Sequence, residues 1–364
     1  MRPILVNIPA KLLFVAALAL ALGAFVRDVI RRRRDKTVPW SSTPLYGLIG
    51  AGLLIYFKAD GLGGENFAKP WTPVPIYAYG VMLGTSLVVG WFIAMHLAKQ
   101  DGVDQQEAGA IYMWSAVWSI IGSRLLWYFT TPTAKISDIP LVNQGGLVAY
   151  GGMIGGFIAT VYLCRRRGIP LLQWADVAAP SVVLGTAITR IGCFLFGCDY
   201  GKRTDLPWAV QFPKGSPAWH HHVSQLVDQL PETAARSYPV HPTQLYESLV
   251  GLSLFGLLML IRRYRPFSGL VFIGWVVGYG VLRSLIEQLR ADEDRGLYFN
   301  GMLSTSQIIG IVSSLLGFGL FLVLLRKYRR DPASLRLWEQ VPATTARVDA
   351  KRGEQGGGKR RKRR

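Results

Sequence analysis

GTAITRIGCFLFGCDYGK, residues 185–202, begins as an apolar run and carries one arginine, Arg190. A charged side chain at the centre of a membrane helix costs roughly 2.5–3.5 kcal/mol on insertion scales. It therefore faces a polar interior and marks a functional site or an ion pair between helices. Gly192, Cys193, Gly197, Cys198, Asp199 and Gly201 follow within eleven residues of Arg190. The glycines predict that the helix breaks near 197–201 and frees backbone N–H groups close to the cation. A fixed guanidinium beside freed donors suits an anion such as a lipid phosphate. The other reading is an arginine paired with a carboxylate to hold two helices together.

The rest of the chain supports a membrane setting. It has 364 residues, 50% of them hydrophobic and only 17% charged, with a mean hydropathy of +0.26. A soluble domain carries more charge, so an all-α, polytopic membrane helix bundle is predicted. The net charge of +19 would suit a nucleic-acid binder. However, the basic residues fall in short runs between apolar segments, which is the pattern of cytoplasmic loops, and no nucleic-acid partner is expected. The three cysteines, Cys164, Cys193 and Cys198, form no disulfide framework. Cys193 and Cys198 alone do not specify a metal, so neither a metal nor a cofactor is expected.

Apolar runs at 76–98, 108–130, 146–163, 177–196, 245–261, 269–289 and 307–325 are each near the roughly 20 residues that cross a bilayer. They predict a seven-helix core within residues 70–330. Two further runs, 11–26 and 44–57, predict two extra helices in an N-terminal membrane extension over 1–69. Residues 331–364 form a basic tail, ending EQGGGKRRKRR, that lacks the apolar content for a core and is expected to be disordered on the cytoplasmic side. Basic runs at 31–36, 165–167, 262–265 and 326–330 fall on alternate loops. By the positive-inside rule the N-terminus is outside and the C-terminus cytoplasmic. The longest outer loop carries His220, His221 and His222, read as a solvated run.

On this orientation, polar residues inside spans gather near the outer face: Tyr77, Tyr79, Tyr150, Arg190, Asp199, His241, Gln244, Tyr246, Glu247, Arg283, Glu287 and Arg290. Arg283, Glu287 and Arg290 are spaced i, i+4, i+7 and share one helix face. Pairing of Arg283 with Glu287 leaves Arg190 free for a ligand, or the reverse. Two arginines at matched depth are suited to clamp one phosphate. Tyr150 opens YGGMIGG, residues 150–156. Its glycines suit close helix packing, or leave room for a lipid head group at Gly151 and Gly152. Arg124, in the middle of its span, pairs with a neighbouring helix or binds lipid.

These motifs resemble the bacterial prolipoprotein diacylglyceryl transferase family. The likeness rests on TRIGCFLFGCDYGK at 189–202, HPTQLYES at 241–248 and GYGVLRSLIEQLR at 278–290, supported by YAYG at 77–80 and YGGMIGG at 150–156. It covers about residues 70–330. The resemblance implies a seven-helix core in the bacterial inner membrane with its site in the outer half of the bilayer. It implies transfer of diacylglycerol from phosphatidylglycerol to the lipobox cysteine in the signal peptide of a preprolipoprotein, with a thioether as product and glycerol phosphate leaving. The family's tyrosine falls on Tyr79, its signature arginine and glycine on Arg190 and Gly201, and its arginine–glutamate pair on Arg283 and Glu287. Two positions depart: Tyr150 stands where the family often has histidine, and Cys193 where it often has asparagine.

The residue types agree with such chemistry. The nucleophile is a thiolate, and preorganised cations stabilise charge developing on a leaving phosphate. Arg190 and Arg283 are expected to supply them. Tyr150, His241 and Glu287 are the candidate proton acceptors, and the residues alone do not choose among them. Tyr79, Gly151, Gly152, Cys193, Gly201, Arg124, Gln244 and Arg290 are the candidate lipid- and substrate-binding residues. The alternative function is a catalytically silent phospholipid- or anion-binding membrane protein of the same fold.

Overall fold

The computed structural model describes residues 4–9, 73–139, 146–224, 230–291, 296–298 and 302–335. The two N-terminal runs at 11–26 and 44–57 lie outside the described residues, as does the tail beyond 335. A short strand, β1 (Ile4–Pro9), pairs antiparallel with β2 (Pro73–Tyr77). Residues 76 and 77, read from sequence as the start of a span, belong instead to this strand pair. It sits directly before the first core helix.

Seven long helices follow, in the order the hydropathy predicts: α1 (Ala78–Gln100), α2 (Gln105–Thr130), α3 (Ala149–Arg167), α4 (Leu171–Phe196), α6 (Thr243–Tyr264), α7 (Leu270–Glu287) and α8 (Thr305–Arg330). A short α5 (Pro217–Ser224) lies in the connection between α4 and α6. All but α2 and α3 are long and apolar enough to cross a membrane. Local signals set the ends. Asp104 accepts from the backbone N–H of Gln106 and Glu107 at 2.9 and 3.0 Å to start α2. Ser304 and Gln307 form a capping box at the start of α8. Gly197, in the left-handed region at φ 85°, ends α4.

The bundle packs as a membrane protein does. Large apolar side chains such as Phe92, Phe129 and Leu316 point outward, where hydrocarbon replaces water as their solvent. Polar groups such as Asp176, Thr243 and Gln244 are fully buried. Inside, Ala94, Leu97, Ile111, Cys164, Trp174 and Val177 knit the first four long helices together. Ala179, Val183, Leu254, Leu258 and Val271 join α4 to α6 and α7.

Helices α2 and α3 cross through glycine. A Cβ on Gly151 would strike the carbonyl of Gly122, and one on Gly152 would lie 2.5 Å from the Ser119–Ser123 face at Ser123 Oγ. Gly155 and Gly156 meet the same helix at the Trp118 carbonyl and Ser119 Oγ. The space left by the missing side chains is filled by α2. This corrects the expectation that Gly151 and Gly152 leave room for a lipid head group.

A buried ion cluster closes the bundle at one end. Arg262 donates to Asp101 at 2.5 and 3.1 Å and to the Leu97 carbonyl at 3.0 Å. Arg265 reaches Asp101 at 2.7 Å and Asp176 at 2.9 Å. Asp176 also accepts from the backbone N–H of Gly269 and Phe272, both at 2.9 Å, and so caps the start of α7 from α4. Two of the arginines in the basic run at 262–265 are thus internal ties between α1, α4 and α6, and they do not lie free on the surface.

Removing one partner of such a cluster leaves a buried charge unpaired. Asp176→Ala should destabilise the fold by about 3–5 kcal/mol. Glu107→Gln, at the partly exposed ion pair with Arg167, should cost about 1 kcal/mol or less. Thermal unfolding in detergent ranks the two; equal melting temperatures would contradict the buried lock.

Candidate functional site

The opposite end of the bundle carries a second ion cluster, made by α4, α6 and α7. Glu247, 6% exposed in the first turns of α6, stands between two arginines. Arg190 on α4 contacts it through Nε and Arg283 on α7 through Nη1, one guanidinium on each carboxylate oxygen. Arg283 Nη2 also pairs with Glu287 Oε2 at 2.9 Å one turn along. Arg190 Nη1 pairs with Asp199 Oδ2 at 2.8 Å, and Arg290 Nη2 with Asp199 Oδ1 at 2.6 Å. Three cations and three carboxylates therefore alternate in one network. Arg283 and Glu287 pair one turn apart on α7 as the spacing predicts, whereas Arg290 lies three residues past the end of the helix and reaches Asp199 from the turn that follows. The expectation that one arginine stays free is corrected: both are bridged by Glu247. Among the described residues, Arg190 Nη2 and Arg283 Nε make no hydrogen bond, so each keeps a donor for a further anion.

The backbone past α4 explains why Asp199 reaches this cluster. Gly197 turns the chain, and Asp199 itself takes the left-handed region at φ 56°, which aspartate tolerates better than most residues. The next residues thread between α6 and α7. Gly201 N–H donates to the His241 carbonyl at 3.0 Å, Lys202 N–H to Leu289 at 2.7 Å, and Ala291 N–H to Tyr200 at 3.3 Å. A Cβ on Gly201 would lie 2.6 Å from His241 Cβ and 2.8 Å from the Leu289 carbonyl, so only glycine fits. The start of α6 clips the same turn: Thr243 Oγ1 donates to the Asp199 carbonyl at 2.7 Å and Gln244 Nε2 to the Cys198 carbonyl at 2.5 Å. Burial alone would raise the Asp199 carboxyl pKa, but Arg190 and Arg290 outweigh it and hold it below its ordinary value.

The other candidates fall in three places. Tyr79 lies against α4, where a Cβ on Gly192 would approach its Cα at 3.2 Å. His241 is beside the cluster, its Nδ1 3.3 Å from the Tyr246 hydroxyl, which accepts from Trp208 Nε1 at 2.7 Å. Tyr150, 38% exposed at the start of α3, has no hydrogen bond to Arg190, Arg283 or Arg290 among the described residues. Arg124, 3% exposed, holds the connection from α2 to α3: it donates to the carbonyls of Asp138, Ile139 and Gly146 at 2.5, 3.1 and 2.9 Å and stacks on Trp127. It anchors a loop.

Sequence reasoning placed Glu247 and Asp199 near the outer face but gave them no role, although they hold the network together. The signal was available in charge balance. Three arginines inside a membrane demand carboxylates, and Glu287 alone does not supply them. Tyr279, packed against the buried cluster that joins α4, α6 and α7, was passed over in the middle of an apolar span.

The connection between α4 and α6 is a packed cap. Tyr200, Phe212, Ala218 and Val240 form its core. The histidine run is helical, and His222 is 2% exposed, which corrects its reading as solvated. Its Nδ1 accepts from Tyr238 N–H at 3.1 Å. Tyr200 links this cap to Asp199 in the chain.

Residues 67–323 match the prolipoprotein diacylglyceryl transferase family. A phosphatidylglycerol–prolipoprotein diacylglyceryl transferase of Clostridium tetani is 32% identical over 249 residues, 68% of this chain and 92% of the relative. The enzyme of the same name from Thermus thermophilus is 31% identical over 290 residues, 72% of this chain and 98% of the relative. That of Staphylococcus carnosus is 29% identical over 273 residues, covering 74% and 93%.

The buried histidine gives the cap a pH signature. Burial, followed by the charges of His221 and Arg203, pushes the His222 pKa down from 6.5 to about 4. The unfolded chain therefore takes up a proton that the folded cap refuses. The stability contribution is complete above pH 6.5 and is lost as pH falls toward about 4. The melting temperature should drop across that window, and His222→Gln should make the drop shallower. An unchanged slope would contradict the neutral, buried histidine.

Proposed function

This chain belongs to the prolipoprotein diacylglyceryl transferase family, and from that premise we propose how its residues carry the transfer. It is a multi-pass membrane enzyme that moves a diacylglyceryl group from phosphatidylglycerol to a prolipoprotein. We infer that the acceptor is the thiol of the lipobox cysteine in the signal peptide. The thiolate attacks the glycerol carbon that bears the phosphoester. The C–S bond forms, the C–O bond breaks, and glycerol phosphate leaves with the bonding pair. The silent anion-binding alternative is not favoured.

The observation that carries the site is the Arg190–Glu247–Arg283 bridge. A carboxylate spanning two guanidinium groups occupies the place that a phosphate would take between them. The donor's phosphate displaces Glu247 and also uses the remaining donors, Arg190 Nη2 and Arg283 Nε. The leaving group gains negative charge as the C–O bond breaks, and the two cations, already in place, favour that state over the bound lipid. Asp199, Glu287 and Arg290 hold the two arginines at their stations.

The same displacement supplies a base. A carboxylate released from two guanidinium groups has both oxygens open to accept a proton. Glu247, released, is then the acceptor of the substrate thiol proton. This reading replaces Tyr150, His241 and Glu287 in that role. Tyr150 is 38% exposed and makes no hydrogen bond to Arg190 or Arg283 among the described residues, and Glu287 stays on Arg283. Tyr79 lines the space beside α4 where the diacylglyceryl chains enter. Arg124, Gly151 and Gly152 serve packing.

The site lies in the outer half of the inner membrane, with the C-terminus cytoplasmic. The basic ends of α3, α6 and α8 support this orientation. The β1–β2 pairing sets residues 4–9 on the face where α1 begins, which is the outer face on the same reading. Reporter fusions at 168 and 266 should read cytoplasmic and one near 225 outside; a cytoplasmic reading near 225 would overturn it.

Purified enzyme, phosphatidylglycerol vesicles and a lipobox peptide test the chemistry, with thioether product followed by mass spectrometry. Arg190→Lys keeps the charge and loses the planar fork, so transfer should fall about 10²–10³-fold. Glu247→Gln should fall at least as far. Tyr150→Phe should stay within about tenfold of wild type. A nearly dead Tyr150→Phe with an active Glu247→Gln would assign the base to Tyr150 instead.

A further inference from the structure

The C-terminal cap of α4 brings two thiols and a carboxylate to one point. Gly197 takes the left-handed cap position, and Cys198 N–H donates back to the Cys193 carbonyl at 3.3 Å. A cap closed in this way sets the side chains one residue past the turn and four before it against each other, and here both are cysteines. Asp199 follows directly. The Sγ atoms of Cys193 and Cys198 and an Asp199 carboxylate oxygen all lie within 4.8 Å of one another, with Cys198 Sγ 3.8 Å from Asp199 Oδ2. The cap geometry makes this cluster, which the spacing of two cysteines alone did not disclose.

We propose that Cys193, Cys198 and Asp199 form a site for a thiophilic divalent cation of the zinc and cadmium class. In tetrahedral zinc sites, with metal–sulfur bonds near 2.3 Å and metal–oxygen bonds near 2.1 Å, ligand atoms stand roughly 3.4–3.8 Å apart. The present spacing needs to close by about 1 Å at most. Two sulfurs and one oxygen select such a cation over magnesium or calcium, which take all-oxygen shells. Binding forms two metal–sulfur bonds and one metal–oxygen bond, and two thiol protons leave to solvent. One divalent charge replaces two protons, so the balance of Arg190, Arg283 and Arg290 against Asp199, Glu247 and Glu287 is unchanged. No electron moves. The Asp199 side chain, 29% exposed, is the way in, and the fourth position is open to water.

Gln244 is an independent sign of unfinished chemistry at this cap. It is fully buried, its Nε2 holds the Cys198 carbonyl at 2.5 Å, and its Oε1 has no hydrogen-bond partner among the described residues. A buried acceptor of that kind is unfavourable, and a water carried in by the cation would satisfy it. Occupancy also has a consequence for the enzyme. Asp199 holds Arg190 and Arg290, so a cation that claims its carboxylate loosens Arg190. This part rests on the role proposed above for Arg190.

Cadmium titration of the reduced, purified full chain tests the site without reference to activity. Thiolate-to-cadmium absorption in the ultraviolet should saturate at one ion per chain with release of two protons. Cys193→Ser and Cys198→Ser should each weaken binding by about 100-fold or more, and Asp199→Asn by about tenfold with both thiolate bands kept. Cys164→Ser should bind as wild type. Circular dichroism confirms that each variant is folded before its titration is read. Absorption that fails to appear at stoichiometric cadmium, or that survives in folded Cys198→Ser, overturns the site. Zinc at saturation should then slow thioether formation at least about tenfold, reversed by a chelator. Full transfer by zinc-loaded enzyme would leave the site standing and refute the dependence of Arg190 on Asp199.

Discussion

Glu247 joins Arg190 to Arg283, and the rest of the site is arranged around that bridge. An unpaired guanidinium inside a membrane is costly. The resting protein meets the cost for two of them with one carboxylate, and in the proposed mechanism that carboxylate stands where the donor phosphate binds. The arginines would then be in place before any lipid arrives. Such preorganisation is what makes electrostatic stabilisation effective at the moment of reaction.

The fold serves the bridge by locking both ends of the bundle with buried charge. At one end Arg262 and Arg265 tie Asp101 and Asp176, so α1, α4 and α6 are held in register and α7 is capped. At the other end Asp199 and Glu247 tie the same α4 and α6 to α7. Between the two locks only apolar packing is required, and helix α4 carries residues of both. Its cap, with Gly197 and Gly201 admitting close backbone approach, delivers Asp199 to the arginines.

Much of this was legible in the residues. Hydropathy gave the seven long helices, five of which are apolar and long enough to cross hydrocarbon. The i, i+4 spacing of Arg283 and Glu287 gave their common face, since helix geometry alone decides it, but α7 ends at Glu287 and Arg290 joins the network from the turn beyond. What was not legible depends on contacts between distant segments. The bridge by Glu247 needs α6 beside both α4 and α7, and no spacing in the chain states that. Nothing in the local sequence around Asp101 and Asp176 states that they meet arginines 161 and 89 positions away. The glycines of YGGMIGG and the inward turn of Arg124 were ambiguous for the same reason: an absent side chain leaves room for either a helix or a ligand, and only the neighbour decides. His222 was misread because burial of a loop cap has no period to detect.

The exchange of Glu247 for the donor phosphate is the claim on which the account turns. An experimental structure of the enzyme in nanodiscs containing phosphatidylglycerol tests it most directly. The account predicts one lipid phosphate within hydrogen-bonding distance of both Arg190 and Arg283, with Glu247 swung off at least one of them. A bound lipid whose phosphate lies elsewhere, with the Arg190–Glu247–Arg283 bridge intact, would contradict it.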